Sequence, residues 1–224
     1  MTFFHPERKD LGSMKVLLKH CLHFVCLVIL SPLSLLYHLT RSEDLFVGQG
    51  QCLSLIPGKL GSYLRVAYYR LTLKSCSSHG YIGFGTFFAH PDCEMGRGYY
   101  LGAYCIIGKA RIGDHVTIGS GVHILSGKHQ HGFAEIGKPI QDQKGKFVKI
   151  GIGENCWIGN KAVIMADLGR QTIVGAGSVV TAPTEDFVIL GGNPAKIIGR
   201  LTIDGGSDFT RQAEPETRPK GLEQ

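Results

Sequence analysis

The sequence has no Cys-x-x-Cys pair, no polybasic block, and no long apolar run free of proline and polar residues. The first absence argues against zinc-ribbon and thioredoxin-type sites. Seven scattered cysteines, an odd number, fit a reducing compartment better than a disulfide framework. The second absence matters because the formal charge is +6: with Lys and Arg spread along the chain, no nucleic-acid partner is expected. The third bears on the amino terminus. Residues 16–39 are apolar overall but contain His23, Ser31, Pro32 and Ser34, which is marginal for crossing about 30 Å of hydrocarbon with roughly 20 apolar residues. A helix lying in or dipping into the bilayer surface is expected instead. A small-residue cleavage site of the A-x-A kind does not follow the run, so a cleaved signal peptide is not expected.

What is abundant is glycine, with 31 residues among 224, about twice the usual share. Proline is ordinary and aliphatic residues are plentiful, so the chain is neither disordered nor collagen-like, and the glycines must serve tight turns. A second amino-terminal segment, 59–74, places Leu60, Leu64, Ala67, Tyr68 and Leu71 at helical spacing, with Arg65, Arg70 and Lys74 beside that stripe and no acid. It reads either as an amphipathic helix packed on the main domain or as a helix meeting anionic headgroups.

From residue 81 onward the apolar period is six. Steps of six from Ile82 reach Phe88, Glu94, Tyr100, Ile106, Ile112, Ile118 and Ile124, and only Glu94 breaks the apolar series. Small or aliphatic residues such as Ala110, Val116 and Val122 stand two places earlier. The frame is lost over 125–149, a loop rich in Gly, Lys, Gln and His, and then resumes at Ile152, Ile158 and Ile164. A four-residue step leads to Leu168, Val174 and Val180. One short strand and one corner per hexapeptide, three hexapeptides per coil, and coils stacked strand on strand give an all-β parallel helix. Glycine after the aliphatic, as in Ile82-Gly83, Ile112-Gly113, Ile118-Gly119 and Ile158-Gly159, is expected at corners of positive φ.

The isoleucine series, the His-bearing loop and the stretches ENCWIGNKAVI and VGAGSVVTAPTEDFVILGGNPAKIIGR together resemble the left-handed β-helix acyltransferases with hexapeptide repeats. Gly192-Asn193-Pro194-Ala195-Lys196 is similar to the closing segment of maltose, galactoside and xenobiotic acetyltransferases. The segment VGQGQCLSLIPGKLGSYLRVAYYR resembles the extension of membrane-associated members linked with surface polysaccharide and glycolipid modification. The resemblance implies a left-handed β-helix, acetyl-CoA as co-substrate, and a homotrimer. It also implies coenzyme contacts at Trp157, Gly159, Ala176, Ser178, Thr181, Lys196 and Arg200, the last two as phosphate partners.

Acetyl transfer needs a base for the acceptor's proton, and histidine suits that work near neutral pH. The loop offers His129 and His131. The maltose-type Thr-His pattern, aligned on Ile124, falls on Lys128-His129. The xenobiotic-type Asn-His pattern lies nearest Gln130-His131, and the closer likeness of that amide-His pair favours His131. The Asn found one coil earlier in maltose-type enzymes has no counterpart in Gly102-Ala103-Tyr104-Cys105.

Two rival classes use the same fold. His115, His123, His129 and His131 could serve as zinc ligands in a carbonic-anhydrase-like lyase, and a non-catalytic scaffold would need neither imidazole. The favoured reading is an acetyl-CoA-dependent O-acetyltransferase at the cytoplasmic face of a bacterial membrane, with no metal. Its acceptor would be a sugar hydroxyl of a surface-polysaccharide or lipid-linked glycan precursor; a serine-like or antibiotic acceptor is the alternative. The organisation expected is an apolar membrane-associated segment over 1–42, a connecting region with the basic helix over 43–78, the β-helix over 79–201, and a disordered tail over 202–224.

Overall fold

The computed structural model describes residues 8–202 and 207–209. Three helices, α1 (Arg8–Thr40), α2 (Glu43–Ser54) and α3 (Gly58–Thr72), precede a parallel β-solenoid. Its strands fall into three sheets, one per face of a prism. One face carries Gly80–Ile82, Tyr99–Leu101, Thr117–Ile118, Trp157–Ile158, Ile173–Val174 and Val188–Gly191, and the second runs from Phe87–Phe88 to Val179–Val180. The third runs from Ser75–Cys76 to Ile150–Ile152. Parallel registers such as Ile118↔Ile158 and Ile124↔Ile164 stack aliphatic on aliphatic. This column, with Val116 and Val122 beside it, is fully buried and supplies the main hydrophobic stabilisation.

The structure corrects the frame in the early coils. Met95, Leu101 and Ile107 are the buried positions, whereas Glu94 and Ile106 are only partly buried and Tyr100 is 47% exposed. Phe88 to Met95 is a step of seven (95 − 88) and Ile107 to Ile112 one of five (112 − 107). The extra residue is taken up at a tight corner in which Cys93 N–H donates to Pro91 O (2.8 Å). The four-residue step from Ile164 to Leu168 is present as expected, with Leu168 bridged to Ile152.

The glycines after the aliphatics also work differently from expectation. Gly83, Gly113, Gly119 and Gly159 do not have positive φ; Gly85, His115, Gly121 and Lys161, two places on, do. The earlier glycines are needed because adjacent coils touch there. A Cβ on Gly159 would lie 2.5 Å from Ala176 N, a separation that excludes any side chain unless backbone moves.

The first coil would expose a row of unpaired strand groups and an open apolar core. The helices close it. Gly85 N–H donates to Ser54 O (2.8 Å), Ile82 N–H to Ser62 Oγ (3.1 Å) and Phe88 N–H to the Tyr69 hydroxyl (3.2 Å). Phe46, Val66, Ala67, Tyr68 and Tyr69 are buried in this cap, with Tyr69 edge-on to Phe88 at 4.5 Å. Arg65, expected beside the apolar stripe, is instead fully buried. It donates to Leu53 O, Ser54 O and Ile56 O (3.0, 3.2 and 2.8 Å) at the end of α2 and to Ile82 O (3.1 Å) in the first coil. These carbonyls, including the negative end of the α2 dipole, are good partners for a guanidinium.

Of the other terminal elements, α1 buries Cys26, Leu30, Ser34 and Tyr37 against the domain and exposes Phe24, Val25, Val28, Ile29, Leu35, Leu36 and Leu39. Residues 20–40 are long and apolar enough to cross a membrane. At the other end, Lys196–Leu201 turns back antiparallel on Val188–Gly191, and Ser207–Phe209 pairs with it. Those three residues lie within the stretch expected to be disordered; 203–206 and 210–224 lie outside the described residues.

Candidate active site

The loop over 125–149 leaves the solenoid at the strand His123–Ile124 and returns at Ile150–Ile152. Its base is pinned. Ser126 is buried, its Oγ accepting from Lys109 N–H (2.9 Å) and its carbonyl from Val148 N–H (2.9 Å). Further out, Lys146 N–H donates to His129 O (2.6 Å). The tip is organised by Gln143, a buried amide that accepts from Glu135 N–H (3.0 Å) and donates to Glu135 O and Lys138 O (both 3.0 Å).

This pinning presents both candidate bases on the loop's outer side. His129 is exposed, with its ring stacked near Phe133 (centroids 6.4 Å, 26°). His131 is exposed too, opening on a shallow cavity of about 340 Å³ with Pro139, Ile140 and Gln141. Between them, Gln130 turns the other way. It donates to Gly127 O (3.1 Å) and lines a cavity of about 120 Å³ against the solenoid wall, with His90, Ile106, His123 and Ser126.

His90 is absent from the residues that the sequence pattern singles out. Its side chain is 18% exposed, its Nδ1 lies 3.4 Å from Glu43 Oε2 in the first turn of α2, and its ring meets Phe147 edge-on at 5.6 Å. The signal that could locate it is the seven-residue step, whose extra residue lies in the corner His90 occupies.

The residues expected to meet the coenzyme fall on the later coils. Trp157 projects outward, 56% exposed; Ala176 and Lys196 are exposed and Thr181 is half-buried. Ser178 is buried, and its Oγ has no hydrogen-bond partner among the described residues. Gly159 is explained by coil contact alone. Arg200 is engaged with Glu185 (2.5 Å), which lowers the carboxyl's pKa and raises the guanidinium's. An incoming phosphate would have to compete with that exposed pair. Outward Trp157, exposed Lys196 and the small residues at 176 and 178 nevertheless suit an elongated, phosphate-bearing thioester.

The buried cysteines do not offer a nucleophile. Burial pushes the thiols of Cys93 and Cys156 up to about 12 and about 11, away from thiolate at neutral pH. Among the described residues of the single chain, no three His, Cys, Asp or Glu side chains converge as metal ligands.

The architecture is a helix-capped parallel β-solenoid with an inserted histidine loop, the fold expected of the hexapeptide-repeat acyltransferases. The sequence profile for the "Hexapeptide repeat of succinyl-transferase" matches residues 149–182. A chloramphenicol acetyltransferase of Morganella morganii is 30% identical over 148 residues, covering 51% of this chain and 70% of the relative. The chain belongs to the hexapeptide-repeat acyltransferases. Its fold is similar to that of a maltose O-acetyltransferase from Clostridium difficile 630 (TM-score 0.64, 20% identity, 73% of this chain and 88% of that one). It is also similar to a hexapeptide-repeat-containing acetyltransferase from Vibrio cholerae, crystallised with acetyl coenzyme A (TM-score 0.59, 21% identity, 71% and 88%).

Proposed function

We propose that the protein is an acetyl-CoA-dependent O-acetyltransferase that modifies a sugar hydroxyl of a surface-polysaccharide or lipid-linked glycan precursor. It would work as a homotrimer at the cytoplasmic face of a bacterial membrane. The observation that carries the reaction class is the pinned loop that presents His129 and His131, in a chain of this acyltransferase family. Acetyl-CoA as donor is supported by the coenzyme in the similar Vibrio cholerae protein. A trimer is supported by the exposure of the two imidazoles, which would need a neighbour's wall to enclose the site.

Of the two candidates we favour His129 as the base, where the sequence pattern favours His131. Its carbonyl accepts from Lys146 N–H and its ring centroid lies 6.4 Å from that of Phe133, and it falls on the maltose-type pattern. The imidazole takes the hydroxyl proton as the acceptor oxygen attacks the thioester carbonyl. Collapse of the tetrahedral intermediate breaks the C–S bond, and the imidazolium returns the proton to the departing thiolate. Backbone N–H groups at coil corners are the available donors to the oxyanion. Coenzyme contacts are assigned to Trp157, Ala176, Ser178, Thr181 and Lys196, with Arg200 joining once Glu185 is displaced; Gly159 allows the coils to approach there.

The membrane setting is supported by α1. One side of the helix packs on the domain through Cys26, Leu30 and Tyr37 while the other exposes a continuous apolar face. A helix committed to its own domain along one side suits the bilayer surface better than a free-standing span.

The test is hydrolysis-corrected acetyl-CoA consumption over sugar nucleotides, lipid-linked sugars, serine and antibiotics. His129→Ala should lower kcat by about 10²–10⁴-fold and His131→Ala by less than about tenfold. If neither variant slows transfer, the catalytic assignment is wrong. The relative's name, chloramphenicol acetyltransferase, favours a second reading in which the acceptor is a small soluble molecule. Strong preference for serine or a drug would establish it in place of the glycan.

A further inference from the structure

A further cavity lies away from the histidine loop. It measures about 740 Å³ and is bounded by His20 and His23 of α1, Arg70 of α3, and His79, Tyr81 and Tyr99 of the first two coils. Its ionisable lining is entirely of the nitrogen-base and phenol kind, with no carboxylate among the described residues that bound it. Arg70 is exposed to the cavity side of α3, and its Nη1 lies 2.7 Å from His23 Nε2. The Tyr99 hydroxyl is already committed, donating to Ser77 O (3.1 Å). Tyr81 is stacked parallel on Tyr100 at 5.1 Å, which makes a flat wall. None of these groups enters the acyl-transfer chemistry.

The position of the cavity indicates its ligand. His20 and His23 stand on the same helix as the exposed apolar face that begins at Phe24. A molecule bound here therefore meets guanidinium and imidazole groups at one end and an acyl-compatible surface at the other. Permanent positive charge with several N–H donors fits a phosphate ester, and a phosphate ester whose hydrocarbon continues along α1 is a phospholipid.

We infer that the cavity bounded by Arg70, His20, His23 and His79 binds the headgroup phosphate of an anionic glycerophospholipid while the exposed face of α1 lies among its acyl chains. The inference rests on the proposed membrane setting and adds to it a specific headgroup site. Such a site would hold the solenoid at a set angle to the bilayer.

The test uses the full chain in vesicle flotation, with phosphatidylcholine vesicles and with vesicles containing phosphatidylglycerol. Wild type should bind both and prefer the anionic ones. Arg70→Gln should reduce the anionic partition by about fivefold, the effect of one charge at a membrane surface, and Arg70→Gln with His79→Gln should remove the preference while binding to phosphatidylcholine is retained. Lys144→Gln, at a basic residue of the inserted loop that does not line the cavity, should leave the preference intact. The headgroup site is overturned if the double variant keeps the wild-type preference, or if Lys144→Gln abolishes it equally, since diffuse charge would then explain the binding. Excess inorganic phosphate should not displace the protein from anionic vesicles. Displacement would assign the cavity to a soluble phosphate and overturn the lipid assignment. Failure of wild type to bind either vesicle would overturn the membrane setting and the headgroup site together.

Discussion

The helical cap and the inserted loop are both additions to one repeating solenoid, and they are built on opposite plans. The cap is dry. Arg65 has no exposure, the aromatic cluster of Phe46, Tyr68, Tyr69 and Phe88 is closed, and burial pushes the Tyr68 and Tyr69 hydroxyls well above the usual phenol range. The loop is fastened at its base by Ser126 and at its tip by Gln143, yet it leaves His129, His131, Phe133, Ile136 and Ile140 in solvent. The inner side of the cap, facing the first coil, commits its polar groups to the domain itself, whereas the loop keeps its imidazoles available to a ligand or a neighbouring subunit. The difference separates a region selected for closure of the fold from one arranged for chemistry.

Arg65→Met should have the largest effect on this contrast. It leaves the carbonyls of Leu53, Ser54, Ile56 and Ile82 without their shared donor in a buried site, at a cost on the order of 3–5 kcal/mol. Urea unfolding would read that loss directly; an unchanged midpoint would mean that the cap does not hold the first coil.

A smaller effect is expected in the loop. Gln143→Ala removes three hydrogen bonds that organise 135–138, and should cost global stability less than about 1 kcal/mol because the segment opens locally. Amide exchange over 135–138 should rise markedly while the solenoid stays protected. Equal loss of protection in the coils would show that loop and core unfold as one unit.

A third effect, intermediate in size, tests whether the two regions are joined. Glu94 accepts from Lys74, just beyond the cap (2.9 Å), from Lys149, at the loop's return (2.9 Å), and from Arg111 (3.2 Å). The Lys74 and Lys149 hydrogen bonds are the main cause of its carboxyl being held down at about 2. A depressed carboxyl stabilises the fold above its unfolded value near 4.5 and loses that contribution as pH falls through about 2. The cluster is solvent-screened, so Glu94→Gln should cost only about 1–2 kcal/mol near neutral pH. The gap between wild type and variant should close as acid is approached. A gap that is constant from pH 7 to pH 2 would remove the ionic link as its cause.

Much of this architecture is legible in the amino-acid sequence. Ile112, Ile118, Ile124, Ile152, Ile158, Ile164, Leu168, Val174 and Val180 are the core column in the order the repeat predicts, and the loop interrupts it where the frame is lost. Three features are not legible there. The early frame slips because a seven-residue and a five-residue step cancel, leaving the series through Tyr100 and Ile106 apolar enough to pass as core. Arg65 reads as a surface cation because helical periodicity cannot show that four carbonyls converge on one guanidinium. His90 and Gln130 come together only through packing of the corner against the loop.

The sequence by itself determined the period, the place where the loop interrupts it and the chemistry available in that loop, because these follow from side-chain type read at a fixed interval. Tertiary structure alone decided which residues of that interval face inward, that Gly159 serves contact between coils rather than a turn, and that the imidazoles are left exposed. The physical reason is that these outcomes depend on distances between segments far apart in the chain. A residue's type states what bonds it can make; only stacking of one coil on the next, and of the helices on the first, settles which partner is within reach.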